Sequence, residues 1–326
     1  MNPRTRTYGL VAVAAAAAAA LVVGTVAFTR TSTPHAPART QTTAAPSDRA
    51  PALVLDLGVR TDAEAVALRR ANRLYSAGKR REAGRIFARY DSLPAHVGSA
   101  LAAWPSGTVT RLLRLADSHP DRALVLLHLG LAEVASGRSE AARAAWHQAL
   151  ARDPNVEAAV QAESLLYPGF APGRPPFVPS TAVPASIARL SPPQQLAALE
   201  QGSRDGRVRG KLFYGAALQR LGRPLSAERE FAAAARLAPD DAEAQVAAAV
   251  GLFTKGRPAV AFSRLGPLSA RFPHSQSVRF HLGELLIWIG QLQKARQELR
   301  LAQGEGKSTV LGKTSHVFLD QLQAKS

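Results

Sequence analysis

From Thr61 onward the apolar positions fall into helical stripes, and between Val208 and Gln303 the pattern repeats with a fixed period of 34 residues. Counted from Val208, the first unit has Gly215, Gly222, Ala227, Phe231, Ala234 and Pro239 at positions 8, 15, 20, 24, 27 and 32. The second has Ala249, Gly256, Ala261, Leu265, Leu268 and Pro273 at the same places, and the third Gly283, Gly290, Ala295, Leu299 and Ala302. Small residues at positions 8 and 20 let two antiparallel helices approach closely. Glycine at 15 turns the chain between them, and proline at 32 stops the second helix. The pattern predicts helix pairs near 208–241, 242–275 and 276–303.

Weaker copies precede these units. A unit starting at Glu64 has Ala71, Gly78, Ala83 and Phe87, and Thr61 or Asp62 can cap its first helix. The unit from Ala123 is complete, with Gly130, Gly137, Ala142, Trp146, Ala149 and Pro154. Between them, Gly107–Ser118 reads as a second helix whose partner, from about His96 to Trp104, is short. This spacing of small, turning and large residues resembles the tetratricopeptide repeat (TPR) family. The resemblance covers about 60–154 and 207–303. It implies an all-α, helix-turn-helix solenoid coiled as a right-handed superhelix, and a protein that binds other proteins without catalysis.

Asn155–Leu166 reads as a further first helix, but Tyr167–Pro184 is full of proline and glycine. Helix resumes at Ser191-Pro192-Pro193-Gln194, a cap followed by prolines in the first turn. The preferred reading is one interrupted repeat, with helices at 156–166 and about 192–203; an interdomain linker is the alternative. After Gly304-Glu305-Gly306, a last helix from Val310 to Leu322 puts Val310, Leu311, Val317, Phe318 and Leu322 on one stripe and caps the array.

Upstream, Tyr8 to Phe28 is an uncharged, mostly apolar run, long enough to cross a bilayer core of ~30 Å. Arg4 and Arg6 precede it and favour an N-terminus in the cytoplasm. The expected organisation is a cytoplasmic tail at 1–7, a single transmembrane helix serving as signal anchor at 8–29, and a disordered Pro/Thr/Ser/Ala-rich linker at 30–58. An N-terminal repeat array at 59–166, a Pro-rich insert or linker at 167–190 and a C-terminal array with its capping helix at 191–326 complete it. A signal peptide cleaved after small residues such as Thr25 and Ala27, leaving a secreted protein, is the alternative. Either places the bulk of the chain outside the cytoplasm.

Composition alters this picture little. Apolar residues make up 46% and aromatics only 6%, the alanine- and leucine-rich mixture of stacked helices. The absence of cysteine excludes disulfides, thiolate metal sites and thiol catalysis. The net charge of +17 is mostly arginine, without a long basic block, and leaves an anionic surface polymer or lipid as a second class of partner. No specific nucleic-acid partner is expected.

Candidate chemistry is thin. Gly304–Thr309 ends like a phosphate-binding loop, but Leu301 stands where its first glycine belongs and an amphipathic helix precedes it. Ser76-Ala77-Gly78-Lys79 matches a serine acyl-enzyme spacing without the companion motifs. His281 and Glu284 share a helix face but lack a third ligand, so they read as a polar pair rather than a metal site. No catalytic, cofactor-binding or metal residues are expected.

The resemblance implies that the first helix of each pair lines a concave groove. Carried onto this chain, the groove positions include Leu127, Leu131, Leu212, Gln219, Arg220, Val246, Phe253, Phe280, Glu284, Ile287 and Trp288. The lysine and asparagine with which some TPR members clamp a peptide carboxylate are absent at these positions. An apolar lining implies a protein partner that is an apolar helix or extended peptide. The chain itself offers one, because Tyr167, Phe170 and Phe177 lie among prolines in the insert and could occupy the groove. The expected function is a membrane-tethered scaffold for protein–protein interaction at the outer face of a bacterial envelope.

Overall fold

A computed structural model describes residues 49–323, and among these every regular element is a helix. Within residues 49–323 the chain forms two compact units that meet in sequence at Leu166 and Tyr167. The apolar run at 8–29 and most of the linker lie outside the described residues. No helix of the described residues is long and apolar enough to cross a membrane.

The N-terminal unit holds α1 (Ala63–Ser76), α2 (Arg80–Phe87), α3 (Leu93–Ala102), α4 (Thr108–Ser118), α5 (Ala123–Ala135), α6 (Ser139–Arg152) and α7 (Glu157–Leu166). Asp62 caps α1 by accepting from the Ala65 amide at 3.0 Å. The expected degenerate pair is present, and its first helix begins at Leu93 rather than His96 because Ser92-Leu93-Pro94 makes a helix start. α7 packs on α6 and α5.

The C-terminal unit holds α8 (Ala185–Ala188), α9 (Pro192–Arg204), α10 (Val208–Arg220), α11 (Pro224–Leu237), α12 (Ala242–Gly251), α13 (Ala259–Leu265), α14 (Leu268–Arg271), α15 (Gln276–Trp288), α16 (Leu292–Glu305) and α17 (Val310–Gln323). α9 packs on α10. The two helices read as one interrupted repeat therefore belong to different compact units.

The close approach predicted from the small residues is visible atom by atom. A Cβ on Gly215 would lie 2.4 Å from Phe231 Cε1, one on Gly283 2.9 Å from Leu299 Cγ, and one on Gly130 2.2 Å from Trp146 Nε1. Each large residue at position 24 thus sits on the bare backbone of position 8. Gly78, Gly137, Gly222 and Gly290 all turn between paired helices with positive φ, a conformation that costs glycine least.

The middle pair departs from the period. α12 has 10 residues where α10 and α15 have 13, and Gly256 does not make a left-handed turn. The chain leaves the helix at Leu252 and folds Phe253 and Lys255 inward, exposing 1% and 2% of their surfaces. Gly256 instead faces the Tyr167 hydroxyl, which would stand 2.9 Å from a Cβ there. Gly266 and Pro267 then divide the second helix into α13 and α14, since proline offers no amide to continue it.

At the C-terminus α16 runs through Gly304 and Glu305, so the break falls at Gly306. Gln276 gathers the Ala302 and Gly306 carbonyls, and the Thr309 hydroxyl accepts from the Gly312 amide to start α17. This stretch is a helix connection. α17 buries Leu311, Ser315, Phe318, Leu319 and Leu322; Val317 points outward and Val310 is only half-buried. The inward stripe is thus set by Leu311 and its i+4, i+7 and i+8 neighbours.

Candidate functional site

Both units carry, ahead of their helices, an extended segment laid against helix side chains. In the C-terminal unit it lies within residues 170–180, here called the second strap, and is extended over 174–179 after a bend at Gly173 with positive φ. Along it Pro175, Phe177 and Pro179 are buried while Pro176, Val178 and Ser180 are half-buried, the two-residue alternation of extended chain. It joins no sheet, so its amides need other partners.

Side chains supply them. The Phe177 amide donates to Gln219 Oε1 at 2.7 Å, and the Val178 amide to His281 Nε2 at 3.0 Å. The Ser180 amide and hydroxyl donate to the two Glu243 carboxylate oxygens at 2.5 and 2.7 Å. Residues 175, 176 and 179 are proline and have no amide hydrogen. Every amide hydrogen from 175 to 180 is therefore either absent or bonded, which suits the sequence to a groove without a strand. Upstream, buried Lys255 donates from Nζ to the Ala171 carbonyl at 2.6 Å.

Aromatic packing fixes the side chains. The Phe177 ring stacks on His281 with centroids 5.1 Å apart and meets Phe231 edge-on at 5.2 Å. Phe170 stands edge-on to Phe253 at 6.5 Å, and Phe253 edge-on to Trp288 at 5.9 Å. The Lys255 ammonium lies 5.7 Å from the Trp288 ring, close enough for cation–π attraction.

The N-terminal unit repeats the device with the first strap, Pro51 to Leu57. Pro51, Leu53 and Leu57 are buried. The Tyr75 hydroxyl donates to the Pro51 carbonyl at 2.6 Å, and the Val54 amide donates to His128 Nε2 at 3.0 Å. Arg69 holds the strap's exit through the Gly58 and Arg60 carbonyls. Residues 51–57, which fall inside the linker expected at 30–58, are therefore packed against the unit. The reason is the apolar content of Pro51, Leu53 and Leu57, enough to offset the ordering of so short a segment.

The two histidines share their chemistry as well as their place. Each accepts an amide hydrogen at Nε2, which puts the ring proton on Nδ1. From there His128 donates to Leu124 O at 2.6 Å and His281 to Ser277 O at 2.8 Å, each one helical turn back. Burial pushes both down from 6.5 to about 4, so both rings are neutral near pH 7.

Of the groove residues expected from sequence, Gln219 binds the strap's backbone, and Phe253 and Trp288 form its aromatic floor. Leu212, Val246, Phe280 and Ile287 are buried in the unit's core. Leu212 also lines a small cavity of about 230 Å³ with Pro179, Thr181 and Asp241. Leu127 is buried in the N-terminal unit and its carbonyl accepts from Trp146; Leu131 is half-buried and Arg220 is exposed. Glu284 is 1% exposed and does not pair with His281, whose ring nitrogens are taken by Ser277 and Val178. Burial raises the Glu284 carboxyl well above its ordinary value, and its Oε2 finds no hydrogen-bond partner among the described residues. Trp288 Nε1 is likewise unpartnered there. No cluster that could hold a metal ion occurs among the described residues.

His128, Tyr75, Glu243 and Lys255 were not among the expected site residues. One signal existed: His128 and His281 occupy the sixth place of units starting at Ala123 and Gln276. Lys255 had no such signal, because it enters the groove only through the shortening of α12.

With this geometry in view, the chain can be set beside the solved structures with which it aligns. The chain resembles TPR proteins. It aligns with a tetratricopeptide repeat protein from Parabacteroides merdae at 13% identity and TM-score 0.34, covering 80% of this chain and 98% of that one. Yeast Tom70 aligns at 11% identity and TM-score 0.34, over 94% of this chain and 54% of Tom70. The TPR2AB domain of yeast Sti1, solved with pHSP90, aligns at 14% and 0.29, over 80% and 97%. No family model and no curated protein matches the chain. The helix-pair reading rests on the contacts described above.

Proposed function

We propose that the protein is a non-catalytic TPR-type scaffold for protein–protein interaction. Residues 8–29 hold it at a bacterial cell membrane, with residues 49–323 on the extracytoplasmic side. The observation that carries the reading is the way the C-terminal groove grips an extended main chain through Gln219, His281 and Glu243. Side chains that bond backbone amides, with a buried site for one aromatic ring, are the means by which a rigid helical surface recognises extended peptide. The tether is supported by the length and apolarity of residues 8–28 and by Arg4 and Arg6 before them. Protease added to spheroplasts should digest residues 49–323 while the cells stay intact; protection of that region would overturn the placement.

The arginine excess favours a second reading, a module that binds anionic surface polymer or lipid. Salt separates the two. A photo-crosslinker at Val134, which is 45% exposed on α5, should capture a protein partner, and the yield should survive salt of about 1 M, where surface charge is screened within ~3 Å. Recovery of polymer or lipid alone, lost in salt, would favour the second reading and sink the first.

A further inference from the structure

The straps are two instances of one pattern. Aligned on the valine whose amide reaches histidine, Pro51-Ala52-Leu53-Val54 matches Pro175-Pro176-Phe177-Val178. In both, the proline and the large apolar residue are buried, the residue between them is more exposed, and the valine is half-buried. In both, the valine amide meets Nε2 of a histidine at 3.0 Å. Two unrelated loops would not be expected to share residue order, burial order and acceptor together. Each groove thus holds the same order of residues, Pro-x-Φ-Val with Φ large and apolar.

We propose that the groove of the C-terminal unit is a recognition site for extended Pro-x-Φ-Val segments of other polypeptides, with residues 170–180 as the resident competitor. This rests on the scaffold reading above and names its partner class. Each contact sets a term of specificity. The space between Phe231 and His281 takes an aromatic or large aliphatic Φ. Neutral His281 has only a lone pair to offer at Nε2, so the residue after Φ must keep its amide hydrogen and cannot be proline. Glu243 accepts two hydrogens from Ser180, so the second residue beyond valine favours a hydroxyl and disfavours an acidic group.

The resident strap can leave without unwinding the array. It contains no helix, and the four-residue α8 that follows buries no residue. A short tether keeps the strap at an effective concentration on the order of millimolar, which shuts out micromolar competitors until the strap is displaced.

The test uses the full chain with residues 174–181 replaced by glycine and serine, and a fluorescent peptide of residues 172–182. The opened variant should bind the peptide at least about tenfold more tightly than the wild-type chain. N-methylation of the peptide's valine amide, or His281→Phe in the opened variant, should each weaken binding by about tenfold. The inference fails if a cooperatively melting opened variant binds no better than wild type, or if N-methylation changes nothing. Should the opened variant not fold, Val178→Pro removes one donor and leaves the rest of the strap; it too must bind the peptide more tightly than wild type, or the inference fails. Crosslinking from Val134 is independent of this groove, so a scaffold that fails the peptide test is distinguished from a protein that is no scaffold.

Discussion

His128 and His281 each spend both ring nitrogens on backbone, one on their own helix and one on a strap. Protonation would set an N–H against the strap's N–H and strand a charge with no carboxylate bonded to it. Both rings titrate near 4 in the fold against 6.5 outside it, so the unfolded chain takes up protons first as pH falls. Their contribution is thus complete above about pH 6.5 and declines toward pH 4. Melting curves across that range should show a steeper loss for wild type than for H128Q/H281Q, whose amides accept a hydrogen without titrating. Equal slopes would remove the histidines from the account. Glu284 has the opposite sign. Its carboxyl is held protonated by burial, so its contribution is complete below about 4.5 and is lost as pH rises toward its elevated value. Glu284→Met should stabilise the chain more at pH 8 than at pH 5; a uniform effect would contradict the assignment.

At the scale of elements, the helix pairs are held by large residues seated on bare backbone. Gly215→Ala would drive a methyl into the Phe231 ring and should cost about 1–3 kcal/mol in denaturant unfolding. No loss would mean that the pair can spread freely. The straps are elements too. A chain beginning at residue 59 should melt well below one beginning at 49, because burial of a Leu53- or Leu57-sized side chain is worth roughly 1.5–3 kcal/mol. Unchanged stability would return residues 50–57 to the status of linker. This element shows where sequence was mute. Helix pairs announce themselves through a 34-residue period, and Gln219, Phe253 and Trp288 follow from their places in it. A strap has no period, and Leu53, Val54, Leu55 and Leu57 offer no clean alternation against the proline-rich stretch before them. The shortened α12 was hidden for a related reason. Gly256 keeps the period of the turning glycines while its backbone answers to Tyr167 instead.

On the scale of the molecule, each unit is a strap followed by paired helices. Fragments 49–166 and 167–326 keep their own straps and should each unfold cooperatively when expressed alone. Removing one strap should lower the melting temperature of its own fragment. A fragment that remains unfolded with its strap in place would show that the division into units is not one of stability.

The strap also constrains how fast anything else can arrive. A segment that takes its place must wait for it to lift. The observed association rate would then climb with peptide concentration only until it meets the strap's own opening rate, and level off. Substitutions on the strap would move that plateau; substitutions in the incoming peptide would not. Such a protein would time an encounter as well as choose it.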